Sequence, residues 1–338
     1  MLENRSFDCM LGYLYPKSEV FDGLDGSESN PWHRLDGSVE DVRVWNSPAI
    51  RPEAACIPSR ELGELFADIN MRLYGLQPVQ DGVPSMRGFV DNFMRQPPED
   101  GRLPDPRAVM HCFKPAQVPV LSQLATAFGV SDRWHVSAPC EIWPNRYFAH
   151  AGTGGGYVNN EFLPLPRLNL RPLPTIYRRL KECGYSWKIY FHDLPQAATL
   201  ADLWLNIPAH FSLFEDDFAE DARNGRLPNY SFIVPRYFAS LWTHKAPNDQ
   251  HPPHNILYGE QLIASVYNAV RNAPTWQRTL LIVVYDEHGG CFDHVPPPAA
   301  VPPGGPCPAG FEFDRYGVRV PAVLISPYVA PGSIIRPP

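Results

Sequence analysis

The sequence predicts an α/β protein: a mixed or parallel sheet with helices on both faces. Three observations carry that reading. Short apolar runs at residues 187–191, 230–234, 280–285 and 319–326 alternate along the chain with segments of helical periodicity. The run 280–285 is continuously apolar and rich in β-branched residues, as a strand buried on both faces would be. The chain has 338 residues, 44% of them hydrophobic, which is enough to bury a large core.

In chain order, residues 1–14 start abruptly. Glu3 and Asn4 would suit ligands at a strand end, yet only Met1 and Leu2 precede them, so a frayed, charged terminus stays open. Residues 15–60 are dense in Asp, Gly, Ser and Pro and read as loop. Residues 61–74 carry Leu62, Leu65, Phe66, Ile69 and Leu73 at helical spacing, and 86–95 reads as a further helix. A Pro-rich break follows at 97–106. Residues 115–128 form a helix with Val118, Leu121, Leu124, Ala125 and Phe128 on its apolar face, leading to a short strand at 130–134.

Pro139 and Pro144 bracket a constrained loop within 137–156, where 147–150 begins a helix or a turn. The glycines after Thr153 lack the GxGxxG spacing of a phosphate cradle. Helices are expected at 175–183, 213–223 and 259–272, strands at 187–191, 230–234, 279–285 and 319–326, a polar loop at 248–254 and a Pro-rich excursion at 296–308. No internal repeat or linker divides the chain, so residues 1–338 are read as a single domain.

A net charge of -7 argues against a nucleic-acid surface. No apolar run approaches the roughly 18 residues of a membrane span, and no signal peptide is visible in these residues. The seven cysteines are odd in number and contain no CxxC; reduced thiols are the expected state, with one or two disulfides left open.

The chemistry centres on Asp286-Glu287-His288-Gly289-Gly290, which ends the strand at 280–285. In an extended strand adjacent carboxylates point to opposite faces, but at a strand end the backbone turns and both can converge on one ion. In open α/β sheets that edge is where ligands bind. A solvated strand end is the plain alternative.

Four blocks in order, ENRSFD at 3–8, WPNRYFAHAGT at 143–153, LPNYSFIVPRY at 227–237 and YDEHGGCFDHVPPP at 285–298, resemble the phosphoesterase family of non-specific phospholipase C and the related bacterial acid phosphatases. The resemblance spans essentially the whole chain. It implies an alkaline-phosphatase-like, three-layer α/β/α sandwich. It implies a divalent metal ion held by Glu3, Asn4, Asp286 and Glu287, an oxygen set that suits a hard or borderline cation. It implies that His251, His288 and His294 hold phosphate oxygens or protonate the leaving alkoxide, and that Asn145 and Arg146 contact the substrate. The implied substrate is a phosphate ester, with a phospholipid as one form of it.

The departures bear on mechanism. Family members carry Thr or Ser, the nucleophile, where this chain has Ile142, which can neither attack phosphorus nor ligate a metal. Three readings follow: an inactive variant on an intact scaffold; a neighbour, Cys140 or Glu141, taking over; or direct attack by a metal-activated water. A Glu of the family's IEPRY block is Val234 here. Relatives have an apolar strand before ENRSFD and a further block after the 326–329 turn, so truncation at both ends is an expectation, as is a missing first strand. Relatives are often exported, and the compartment stays open. The functional alternatives are a phosphoric ester hydrolase, a non-catalytic member binding phospholipid or a protein partner, and an esterase or transferase with Cys140 as nucleophile.

Overall fold

The computed structural model describes all residues except 48–53, 77–81, 99–100, 102, 161–172, 241–243, 306 and 337–338, and the side chain of Asn206. The chain is α/β. Strands Ser29–His33 (β1) and Val39–Arg43 (β2) form an antiparallel hairpin inside the stretch that the sequence marked as loop. Alternation is hard to read there because Val42 is the one residue of β2 that is buried.

Two larger sheets follow. Gly129–Ser131 (β3), Leu281–Val284 (β7), Ala322–Ile325 (β8) and Ser333–Ile334 (β9) pair in the order β7-β8-β3-β9. The β7–β8 and β8–β3 pairs are antiparallel and β3–β9 is parallel. Trp187–Phe191 (β4), Phe211–Leu213 (β5) and Tyr230–Val234 (β6) form a parallel sheet in the order β5-β4-β6.

The first residues of the chain lie in the seam between these sheets. Leu2 bridges Tyr285 in parallel, with Leu2 N donating to Val284 O at 2.8 Å and Asp286 N to Leu2 O at 3.2 Å. On the other side the Met1 amino group donates to Ile233 O at 3.2 Å. Glu3 and Asn4 are thereby delivered beside Asp286, and they are buried rather than frayed.

The helices are shorter than their periodicity suggests at several ends. Phe7–Leu11 (α1) is capped by Ser6, whose hydroxyl accepts from Cys9 N. Phe66–Tyr74 (α2) begins five residues later than expected, leaving Glu61 and Glu64 on the preceding loop. Phe89–Arg95 (α3) and Pro119–Ala127 (α4, with Pro in its first turn) follow. Ile142–Ala151 (α5) runs through the segment read as constrained loop: Pro144 sits in the first turn, where its missing N–H has no helical partner to lose. Ile176–Glu182 (α6) is capped by Thr175. In the predicted helix 213–223, β5 comes first, then a π-helical turn, Phe214–Phe218, and Ala219–Arg223 (α7). Ile256–Arg271 (α8) is capped by Asn255.

The main core unites β3, β7 and β8 with Phe7, Phe89, Leu121, Ile263 and Val266. A second cluster lies under β4 and β6, built from Tyr147, Tyr177, Trp187, Ile189 and Phe232. The expected full burial of 280–285 does not hold: Ile282 is 40% exposed while Val283 is buried, because β7 turns one face outward beside its antiparallel neighbour. Among the described residues no helix is long and apolar enough to cross a membrane.

One fold contact is made by a buried titratable side chain. Glu260 of α8 accepts from Val120 N at 2.5 Å and Leu121 N at 3.2 Å, capping α4 from another helix. Burial raises its pKa from 4.5 to about 7 against those hydrogen bonds. The folded state therefore holds this proton more tightly than the unfolded chain, so the contribution is full below pH 4.5 and is lost as pH rises through 7. Glu260→Gln should remove about 3 kcal/mol of pH dependence between those limits. Urea unfolding across that range checks it; an unchanged slope in the variant contradicts the assignment.

Candidate functional site

The site forms where the two sheets meet. Asp286 and Glu287 leave β7, and the chain then turns through Gly289 (φ +57°) and Gly290 (φ +74°). A Cβ on Gly289 would lie 2.2 Å from Asn4 O, and one on Gly290 would lie 2.6 Å from Leu62 Cβ. Both the left-handed backbone and the close approach require glycine here. Asn4 is itself left-handed (φ +58°), a conformation Asn tolerates better than most residues.

Arg146, fully buried on α5, ties the pieces together. Its Nε donates to Asp286 Oδ2 at 2.8 Å and its Nη2 to Glu3 Oε1 at 3.1 Å. The Tyr237 ring lies 5.4 Å from its guanidinium carbon. Asp286 Oδ1 accepts from Asn4 N at 3.2 Å and Glu287 N at 2.8 Å. Glu287 Oε2 accepts from Gly289 N at 2.8 Å and lies 3.0 Å from His288 Nδ1. Asn4 Nδ2 donates to Glu64 Oε1, and Glu64 faces His251 Nε2 at 3.5 Å.

The electrostatics are those of buried negative charge. Burial raises the Glu3 pKa well above the usual range, opposed by Arg146 and helped by Asp286 and Asp249. Burial raises Asp286 against Arg146. Burial raises Glu287, with the charges of Glu64 and Asp286 adding to it. For His251, burial lowers the pKa, but Glu64, Glu3, Glu61 and Asp249 outweigh it and bring it to about 9. His288 is held neutral by burial and the Arg72 charge.

Two ligand-type oxygens here are buried without a hydrogen-bond partner, Asn4 Oδ1 and Glu287 Oε1. An unpartnered buried acceptor is costly, and each of these oxygens is of the kind that an oxygen-preferring divalent cation takes as a ligand. The donor set thus fits such an ion. Glu61, Glu64 and His251 also bring ligand atoms within 4.8 Å of one another at the same site. Glu3, Asp286 and Glu287 converge less tightly, because Arg146 stands between Glu3 and Asp286.

The remaining predicted residues are placed differently. Ile142 is the first residue of α5, 9% exposed, and it belongs to none of the three apolar clusters of described residues. Glu141 is the N-cap position; its Oε2 accepts from Asn160 N, while Asn160 Oδ1 accepts from Trp143 N at 2.9 Å. Cys140 is fully buried, and burial, with the charges of Glu287 and Glu141, pushes its thiol well up; a nucleophile needs the opposite. Asn145 is engaged by the loop before α5, donating to Cys140 O at 2.7 Å and Ala138 O at 3.2 Å. Arg146 serves the carboxylates.

His294 belongs to a separate buried network. Its Nδ1 lies 2.6 Å from Asp8 Oδ2 and its Nε2 3.1 Å from Asp22 Oδ1. Arg319 donates to Asp8 Oδ1 and Asp293 Oδ1, both at 2.9 Å. Sequence reasoning missed Glu61, Glu64 and Tyr237. The first two were assigned to a helix, and nothing in a single Tyr marks it as a partner of Arg146.

The mixed α/β fold thus brings a nest of buried carboxylates to its strand ends. The chain belongs to the phosphoesterase family, whose profile matches residues 1–337. It is 36% identical over 345 residues to non-specific phospholipase C1 of Arabidopsis thaliana, covering 100% of this chain and 61% of that protein. Phospholipase C A of Mycobacterium tuberculosis is 29% identical over 379 residues, covering 97% of this chain and 67% of that protein. The chain spans about three fifths of the length of the plant relatives it matches. Among solved structures, a protein in the alkaline phosphatase superfamily from Vibrio parahaemolyticus matches with TM-score 0.40 and 13% identity, covering 64% of this chain and 56% of that one.

The separate network makes a testable statement. Burial lowers the His294 pKa, but the hydrogen bond and charge of Asp8, with Asp293, raise it from 6.5 to about 9. Its stabilising contribution is full below pH 6.5 and is lost as pH rises through 9, about 3 kcal/mol in all. The ring protons of His294, followed by NMR, should titrate near pH 9; a midpoint at or below 6.5 contradicts this network.

Proposed function

We propose that this chain is a metal-dependent phosphoric ester hydrolase of the phospholipase C type whose turnover is restrained at one position, Ile142. The observation that carries the reading is the pair of buried, unpartnered oxygens Asn4 Oδ1 and Glu287 Oε1 at the sheet seam, where Arg146 bridges Glu3 to Asp286. Family membership and the names of the plant and mycobacterial relatives support the substrate class, a phosphate ester and in particular a phospholipid.

Glu3, Asn4, Asp286 and Glu287 would hold the divalent ion, with Glu64 beside Asn4. When bound, such an ion supplies positive charge to phosphate oxygens and favours displacement at phosphorus. Arg146 holds Glu3 and Asp286 in place and offsets their repulsion. The positive end of the α5 dipole favours an anion at the N-terminus of that helix, where Trp143 N is already taken by Asn160 and Pro144 has no N–H. His251, protonated at neutral pH, holds a proton at Nε2 that a leaving alkoxide can take. What the chain lacks is a lone pair at the first position of α5. A hydroxyl there would attack phosphorus; the Ile142 side chain instead offers only bulk.

A second reading, a non-catalytic member that binds phospholipid or a protein partner, is favoured by one further observation. Val234, like Ile142, is apolar and buried, its side chain committed to the second core cluster.

Two experiments separate these. Ile142→Thr should raise p-nitrophenol release from p-nitrophenyl phosphate or p-nitrophenylphosphocholine at least about tenfold in the presence of divalent metal. No gain with any metal favours the binding reading, and full activity of the unaltered chain removes the role given to Ile142. Separately, Asp286→Asn should lower the metal content after dialysis, measured by inductively coupled plasma mass spectrometry, at least about tenfold. Unchanged metal would sink the ligand assignment.

A further inference from the structure

Asn4 offers a carboxamide to the site, and a carboxamide has two unlike ends. Its Nδ2 carries two N–H donors, while its Oδ1 accepts. The torsion that aims them is broad and roughly two-fold, so Asn itself does not choose between the two orientations. A cation needs the oxygen; a reversed amide would turn N–H dipoles of the wrong sign toward it. The backbone of Asn4 is pinned, with its N–H donating to Asp286 Oδ1 at 3.2 Å and its φ at +58°. The orientation of the amide is therefore set by what its side chain touches.

That contact is made by Glu64. Asn4 Nδ2 donates to Glu64 Oε1. A carboxylate offers acceptors alone, so it takes the NH2 end of the amide and turns Oδ1 the other way. Oδ1 is the atom that stays buried without a hydrogen-bond partner. Glu64 is presented by a braced turn ahead of α2. Arg72, on α2, donates through Nη2 to the carbonyls of Leu62 and Gly63. Gly63 is left-handed (φ +77°), and a Cβ there would run into the Gln96 side chain. Phe66 N donates to Asn159 Oδ1 at 2.8 Å. The Glu64 side chain is 11% exposed, and the same Oε1 lies 3.5 Å from His251 Nε2.

We infer that Glu64 is a positioning residue: it fixes the Asn4 carboxamide so that Oδ1, and not Nδ2, faces a divalent cation, and it does so without ligating the ion. The inference rests on the ligand set proposed above and adds to it a residue 60 positions away, on a loop of its own. Partners that orient a metal ligand in this way are commonly worth 10–100-fold in metal affinity. The competing role for Glu64 is that of a further ligand, since its carboxylate groups with Glu61 and His251 within 4.8 Å. The two roles differ in what an amide at position 64 does. Gln keeps an oxygen that accepts from Asn4 Nδ2 but loses the charge that a bound ion would draw on.

The test strips metal from the full chain with EDTA and titrates Mn2+, an ion that suits oxygen ligands, with free Mn2+ followed by electron paramagnetic resonance. Glu64→Ala should weaken Mn2+ binding at least about tenfold. Glu64→Gln should stay nearer to the unaltered chain than to Glu64→Ala on a logarithmic scale. Asp286→Asn, run alongside, should also weaken binding at least about tenfold. A smaller loss in Glu64→Ala, with Asp286→Asn behaving as expected, removes the role of Glu64 and leaves the ligand set standing. Glu64→Gln lying nearer to Glu64→Ala overturns the inference in favour of Glu64 acting through its charge, as a ligand does. An Asp286→Asn variant that binds Mn2+ as the unaltered chain does sinks the ligand set itself, and the role of Glu64 with it. Circular dichroism of the metal-free proteins checks folding, and Glu64→Met replaces Glu64→Ala should that variant not fold.

Discussion

Burying several carboxylates at the seam between two sheets is the constraint on which this structure depends. Glu3, Asp286 and Glu287 lie out of water, where ionised carboxylates are strongly disfavoured unless paired. The chain answers with buried cations placed from elsewhere. Arg146 reaches in from α5 and bridges Glu3 to Asp286. Arg72, on α2, donates to the carbonyl of Gly63 at 2.5 Å and bears on Glu287. The compensation is incomplete: two acceptor oxygens remain unpartnered, and the carboxylate pKa values stay raised. That residual demand for positive charge distinguishes this region from the Asp8–Asp293–His294–Arg319 network, where each of the four side chains has an ionic partner.

The same seam explains why helix α5 matters. Its N-terminus, its Arg146 and the loop tied down by Asn145 form one unit, so Arg146 is carried to Glu3 and Asp286 from a braced helix. Ile142 occupies the first helical position without joining any of the apolar clusters. The scaffold and the reactive group are physically separable, because the first depends on backbone and ion-pair geometry and the second on a single side chain.

Much of the fold was legible in residues. The strands at 187–191 and 230–234 coincide with β4 and β6, since short β-branched and aromatic runs have few other stable fates. The helix α5 was only partly legible, left open as a helix or a turn at 147–150, because Pro139, Pro144 and the glycines read as turn signals; Pro144 is tolerated because it falls in the first turn. The hairpin β1–β2 was hidden by turn chemistry around it. The helix expected at 61–74 was over-extended, and with it Glu61 and Glu64 were set on a regular element instead of on the loop that faces His251.

By itself the sequence determined the α/β class, the family, and the candidate ligands Glu3, Asn4, Asp286 and Glu287, because these rest on local pattern and short motifs. Only the tertiary structure decided how those residues are used. It set Leu2 between β7 and β6, so that the segment carrying Glu3 and Asn4 became a wall of the site. It gave Arg146 to the carboxylates, moved His294 into a different network and buried the Cys140 thiol. The physical reason is that partnership between charges distant in sequence depends on which sheet edges meet, and no local propensity encodes that.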